Sequence, residues 1–171
     1  MNRIAQFEKV SFKQFLKDYN DTFDYGQSDE EIKKIWEDIK LPTRATAGSA
    51  GYDFITPIDF TLEAGTTIKI PTGIRCRIDN GWVLKLYPRS GLGFKYRLQL
   101  NNTVGIIDSD YYYSDNEGHI FIKITNNSNE NKIIVLKKGG GFTQGIFVPY
   151  GITINDESDG VRNGGFGSTR I

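Results

Sequence analysis

The stretch TTIKIPTGIRCRIDNGWVLKLY (residues 66–87) contains three short apolar runs, TTIKI, IRCRI and WVLKLY, separated by Gly73 and by the Asn80-Gly81 pair. Apolar and polar residues alternate within the runs, which is the two-residue period of a strand with one buried face. The glycines and the Asn-Gly pair mark turns. Moving outward, the same pattern recurs in HIFIKIT (119–125), KIIVL (132–136) and GIFVPYGITI (145–154), with Gly105, Gly118 and the glycines at 139–141 between them. Many short strands with regular turns predict an all-β sandwich or barrel.

The first 40 residues follow a different period. Phe12, Phe15, Leu16, Tyr19 and Phe23 fall at helical spacing until Asp24, Tyr25 and Gly26 interrupt them. Ser28 and Glu31 form a capping-box pattern ahead of Ile32, Ile35, Trp36 and Ile39, and Pro42 lies just past the end. Two amphipathic helices are expected, packed on a neighbouring surface. The predicted organisation is a helical N-terminal extension (1–40), a β domain (41–160) and a glycine-rich tail (161–171).

With 171 residues and 38% hydrophobic content, the chain can bury one substantial core. Its 21 basic residues balance 21 acidic ones, so no nucleic-acid face is expected. The single cysteine, Cys76, excludes an intramolecular disulfide and fits a reducing compartment. No apolar run approaches a membrane span and the N-terminus lacks a secretory core, so a soluble cytoplasmic protein is expected.

One histidine and one cysteine cannot build a zinc site. A Ser-His-Asp triad is open only through His119, which falls in the alternating run HIFIKIT and reads as an ordinary strand residue. Carboxylates, arginines, hydroxyls and glycine turns remain, and these suit phosphate chemistry. AGSAGYDF (47–54) ends a small-residue turn with Asp53, and YPRSGLGF (87–94) sets Arg89 and Ser90 at a strand end before Gly91. NNTVGIIDSDYYY (101–113) holds Asp108 and Asp110 two apart, on one side if extended. RNGGFGSTRI (162–171) combines Arg162 and hydroxyls with a lone aromatic, Phe166.

Taken in order, these stretches resemble the five motifs of the homotrimeric dUTP pyrophosphatase (dUTPase) family: AGYDF (50–54), PRSGLG (88–93), NTVGIIDSDY (102–111), a degenerate GGGFTQGIFVPY (139–150) and RNGGFGST (162–169). The resemblance implies a mainly β, jelly-roll barrel carrying the two-helix extension. It also implies hydrolysis of dUTP to dUMP and pyrophosphate, which limits uracil in DNA and supplies dUMP. Asp108 matches the general base that activates water for attack on the α-phosphorus. Arg89, Ser90, Gly91 and Gln144 match groups around the phosphates.

Asn102 and the backbone from Gly105 to Ile107 match a hairpin that reads the uracil edge, and Tyr111 matches the ring under deoxyribose. In the flap, Phe166 matches the aromatic stacked on uracil, while Arg162, Gly167, Ser168 and Thr169 match its substrate contacts. A Mg²⁺ ion held by phosphates and water is implied, with Asp53 supporting its water shell, and so is a homotrimer. Two departures stand out. Tyr111 is followed by YYSDNEGHI where the family often continues Tyr-Arg-Gly-Glu, and Gly140 and Gly141 stand where it carries Asp and Arg. The alternatives are a nucleotide-sensing binding protein, with a protein partner at the helices or at residues 112–118, and a dCTP deaminase on the same fold.

Overall fold

The computed structural model describes residues 2–160, 162 and 164. In chain order the strands are β1 (Ala5–Lys9), β2 (Thr43–Arg44), β3 (Tyr52–Ile55), β4 (Phe60–Leu62), β5 (Thr67–Pro71), β6 (Ile74–Ile78), β7 (Trp82–Pro88), β8 (Leu98–Leu100), β9 (Gly105–Ile107), β10 (Phe121–Asn126), β11 (Ile134–Leu136) and β12 (Gly141–Pro149). The helices are α1 (Phe12–Asn20), α2 (Asp29–Glu37) and α3 (Ser90–Tyr96), and a 3₁₀ turn spans Ser109–Tyr113.

The larger sheet runs β2-β3-β12-β7-β9, a second runs β5-β10-β8, and β11-β4 and β1-β6 form two two-stranded sheets. All pairings are antiparallel, as a jelly-roll requires. The alternation that predicted the strands also fills the core. In β10, Ile122 and Ile124 point inward while Lys123 points out. They join Ile70, Leu98 and Leu100 against Phe54, Leu84, Leu86, Ile107 and Phe142 of the larger sheet. Each fully buried side chain of this size contributes about 1.5–3 kcal/mol. Cys76 is buried too, and burial pushes its thiol up to about 12. No helix among the described residues is long and apolar enough to cross a membrane.

Both N-terminal helices form where the spacing placed them. Ser11 caps α1, and Ser28 with Glu31 closes the capping box of α2. Phe15, Tyr19 and Ile32 enter the same core as the sheets. The extension also contains a strand that the sequence reading missed. β1 pairs along all of β6, and Phe7 packs against the rings of Tyr52, Phe54 and Phe147, with centroids 5.4–5.7 Å apart. Lys9 Nζ donates to the Trp36 and Glu37 carbonyls at the end of α2, and Trp36 Nε1 donates to Val10 O.

Three further local expectations need correction. Residues 90–96 form a helix inside the β domain, despite Gly91 and Gly93. The 102–107 stretch is a corner rather than a ladder-bonded hairpin, because β8 pairs with β10 while β9 pairs with β7. Asp108 is extended, but Asp110 lies within the 3₁₀ turn, so the two are not alternate positions of one extended strand.

Candidate active site

The first group of site residues gathers at one end of the larger sheet. β12 sets Gln144 opposite Asp53 of β3 and Tyr87 of β7. Arg89, just beyond β7, occupies the N-cap position of α3 without a side-chain cap bond, and its Nε lies 3.3 Å from Asp53 Oδ1. Ser90 and Gly91 open that helix, and Gln144 Nε2 donates to Pro88 O. A β-carbon on Gly141 would lie 2.6 Å from Arg89 Nη1, so the guanidinium fills the space a side chain at 141 would need. The glycine standing where the family carries an arginine is thus matched by a neighbouring arginine in that volume.

The second group lies around β9. A cavity of about 390 Å³ is lined by Asn102, Gly105, Ile107, Leu86, Phe121 and Asn116. Its size and mostly apolar lining with a few polar groups suit a nucleoside. Gly105 lets the backbone lie against Leu86, whose side chain a β-carbon would meet at 3.0 Å. Lys69 and Lys123, opposite each other on β5 and β10, also face this cavity. They and Asn116 escaped the sequence reading because ordinary outward strand positions and an inserted loop carry no motif.

Tyr111 is buried. Its hydroxyl donates to His119 O at 2.6 Å and accepts from Asn116 Nδ2 at 2.9 Å. Burial, the largest influence, pushes its phenol up to about 12, so it stays neutral. Arg162 Nη2 reaches Asp108 Oδ2 at 2.5 Å, and Arg162 Nε reaches Asp110 Oδ1 at 3.0 Å. The arginine expected beside phosphates therefore rests on the acids of its own chain. Phe166, Gly167, Ser168 and Thr169 lie outside the described residues.

His119 is not an ordinary strand residue. It sits before β10, fully buried, with Nδ1 2.5 Å from Asp18 Oδ2 and Nε2 accepting the Gly73 N–H at 2.8 Å. Glu117 of the insertion accepts from the Ser11 N–H and hydroxyl, and Tyr112 donates to Glu8. The helices and the insertion, two separate candidates for a partner surface, are thus bound to each other.

The dUTPase family model matches residues 37–170. The chain belongs to the dUTPase family. It is 41% identical over 134 residues to the deoxyuridine 5'-triphosphate nucleotidohydrolase of Lactococcus lactis subsp. lactis (strain IL1403), covering 77% of this chain and 88% of that protein. The crystal structure of dUTPase from Streptococcus mutans superposes with a TM-score of 0.62 at 34% identity, over 86% of this chain and 97% of that one. A mutant dUTPase from phage phi11 of S. aureus, described as coordinating a structural Mg(II) ion, shares the fold at TM-score 0.61 and 20% identity, over 92% and 98%. This dUTPase hydrolyses dUTP to dUMP and pyrophosphate.

Among the described residues no group of three or more His, Cys, Asp or Glu side chains could hold a metal ion. Asp53 stands beside Arg89 rather than in a carboxylate cage. That donor set fits a Mg²⁺ coordinated mainly by phosphate oxygens and water.

Proposed function

We propose that the enzyme acts as a homotrimer in which each site draws its phosphate group and its nucleoside group from different subunits. The observation that supports this is the separation of the two groups along β7. Ile107 pairs with Leu84, so Asp108 falls level with Val83, whereas Arg89 follows the far end of the strand. At roughly 3.4 Å per residue, the chain from Val83 to Arg89 spans about 20 Å. That distance exceeds the length of a triphosphate. This supports a site in which Arg89 of one copy and Asp108 of another meet on the same substrate.

In the assembled site, uracil enters the cavity against Gly105–Ile107. The Asn102 amide and the corner backbone hydrogen-bond its edge, and the narrow approach of Gly105 to Leu86 leaves little space for a ring methyl. The Tyr111 ring lies under the deoxyribose. Its hydroxyl is committed to His119 and Asn116, so the sugar meets a face rather than a donor. Arg89, Ser90 and Gln144 hold phosphate oxygens in line.

Asp108 orients a water and takes its proton as oxygen attacks the α-phosphorus and pyrophosphate leaves. An aspartate is a weak base, so positioning and charge stabilisation supply most of the rate. To act, Asp108 exchanges its ion pair with Arg162 for the water, and Arg162 is released toward the phosphates. Mg²⁺, when bound, neutralises phosphate charge, and Asp53 reaches its water shell. The flap residues Phe166, Gly167, Ser168 and Thr169 close over base and phosphates.

Subunit complementation tests the shared site. Asp108→Asn and Arg89→Ala are each expected to abolish dUTP hydrolysis, and trimers formed by refolding the two together should regain activity at sites where intact Asp108 meets intact Arg89. Mixed trimers verified by light scattering and mass spectrometry but still inactive would refute the arrangement.

A further inference from the structure

The insertion after Tyr111 and the N-terminal segment are both unusual for the motif pattern, and in this fold they are joined at three points. Glu8 of β1 accepts from the Tyr112 hydroxyl at 2.7 Å, while Arg75 lies 4.2 Å over the Tyr112 ring. Ser11, the cap of α1, donates through both N–H and hydroxyl to Glu117, at 2.7 and 2.6 Å. Asp18, one helical turn from Gln14, accepts from the Gln14 amide and meets His119.

The third point leads to the site. The Gly73 N–H can only donate, so His119 Nε2 is the acceptor and the ring proton sits on Nδ1, directed at the Asp18 carboxylate. With both ring nitrogens engaged, the imidazole cannot turn, and it pins the backbone of its own residue. That backbone carbonyl accepts the Tyr111 hydroxyl at 2.6 Å. Asn116, which lines the nucleoside cavity, donates to the same hydroxyl and to the same carbonyl. Asp18, His119 and Tyr111 form one line of hydrogen bonds from α1 to the sugar platform, with His119 and Tyr111 almost fully excluded from water.

We infer that Asp18 and His119 are positioning residues for sugar discrimination: the N-terminal helix, through them, sets the tilt of the Tyr111 ring and thereby the preference for deoxyribose over ribose. The inference rests on the placement of Tyr111 under the sugar. A ring whose hydroxyl is held by a pinned carbonyl and by the Asn116 amide stays level with the face of the sugar. Released, it can tip and admit a 2'-hydroxyl, and small misplacements of this kind are costly to selectivity.

The experiment measures kcat/KM for dUTP and for UTP on the full chain and its variants Asp18→Ala, Asp18→Asn, Tyr111→Phe and Tyr111→Ala, and on the double variant Asp18→Ala with Tyr111→Phe. All are assayed well below their melting temperatures. Asp18→Ala is expected to narrow the dUTP preference about tenfold, the scale of losing a hydrogen bond to a charged acceptor. Asp18→Asn, which retains an acceptor oxygen, should recover most of it. The double variant should be no worse than Tyr111→Phe alone, because both changes cut the same line. In proton NMR the wild-type imidazole Nδ1–H should resonate downfield of the amide envelope, and this signal should vanish in Asp18→Ala.

If Asp18→Ala slows both nucleotides equally while Tyr111→Ala shifts the ratio, the relay is overturned and the role of Tyr111 stands. If Tyr111→Ala leaves the ratio unchanged, the placement of Tyr111 falls and the relay with it. Should Asp18→Ala not fold, Asp18→Asn carries the test with an expected narrowing of about threefold, and an unchanged ratio there overturns the relay.

Discussion

Gly73→Ala probes whether the N-terminal helices are seated on the barrel as described. Gly73 sits between β5 and β6 at φ +73°, and an added β-carbon would stand 2.3 Å from Ile39 Cδ1 and 3.3 Å from the Phe15 ring. The left-handed backbone alone costs a non-glycine residue about 1–2 kcal/mol. Forcing a methyl into the packed junction adds about 1–3 kcal/mol. A comparison with Gly65→Ala separates the two costs, since Gly65 has φ +80° but nothing within 4 Å of its β-carbon position. Urea unfolding at one protein concentration, held fixed because an oligomer's stability depends on it, should show Gly65→Ala losing only the backbone cost. Gly73→Ala should lose about 2 kcal/mol more. Adding Ile39→Ala to Gly73→Ala should return part of that excess, a non-additivity expected only for side chains in contact. Equal losses for the two glycine variants, or strict additivity with Ile39→Ala, would show that α1, α2 and the β5–β6 turn do not meet as described.

Acid should loosen the strut that joins the N-terminal segment to the insertion. The Tyr112 hydroxyl, then Arg75, hold the Glu8 carboxyl below the usual carboxylate range, while at Glu117 burial pushes upward but is outweighed by the two Ser11 donors and Arg75. A depressed native value means the stabilisation is complete at neutral pH and is lost as pH falls through that value, so between about pH 6 and pH 3 the wild type should lose more melting temperature than Glu8→Gln/Glu117→Gln; parallel curves would refute it. Gly141→Ala should leave the melting temperature almost unchanged, because the atoms it meets are the movable end of Arg89. It should nevertheless lower kcat/KM for dUTP severalfold by displacing that guanidinium from Asp53, and an unaltered kcat/KM would show that the placement of Arg89 is not limiting.

The sequence reveals what local period and local chemistry can encode. Runs such as IRCRI and FIKIT alternate because one face of each is buried, and their alternation predicts which side chains fill the core. The α2 start is legible because a capping box is a local hydrogen-bond exchange between Ser28 and Glu31. The motif residues Asp53, Arg89, Asp108 and Gln144 stand out through the order of the motifs they belong to, since each residue taken singly also fits a turn, a surface ion pair or a loop. Strand β1 stayed hidden because AQFEK is short and its justification is a partner, β6, some seventy residues away. Helix α3 was obscured by two glycines whose cost the surrounding fold overrides. The hardest feature to foresee was the Asp18–His119 pair, whose members are 101 positions apart and are each plausible alone as something else: a polar helix residue and a strand histidine. Only the fold converts that separation into a contact, because α1 lies over the β5–β6 turn and the chain before β10 returns beneath it. A motif states which groups touch substrate. The residues that hold those groups still can come from anywhere in the chain that the topology brings near, and here they come from a segment no motif includes.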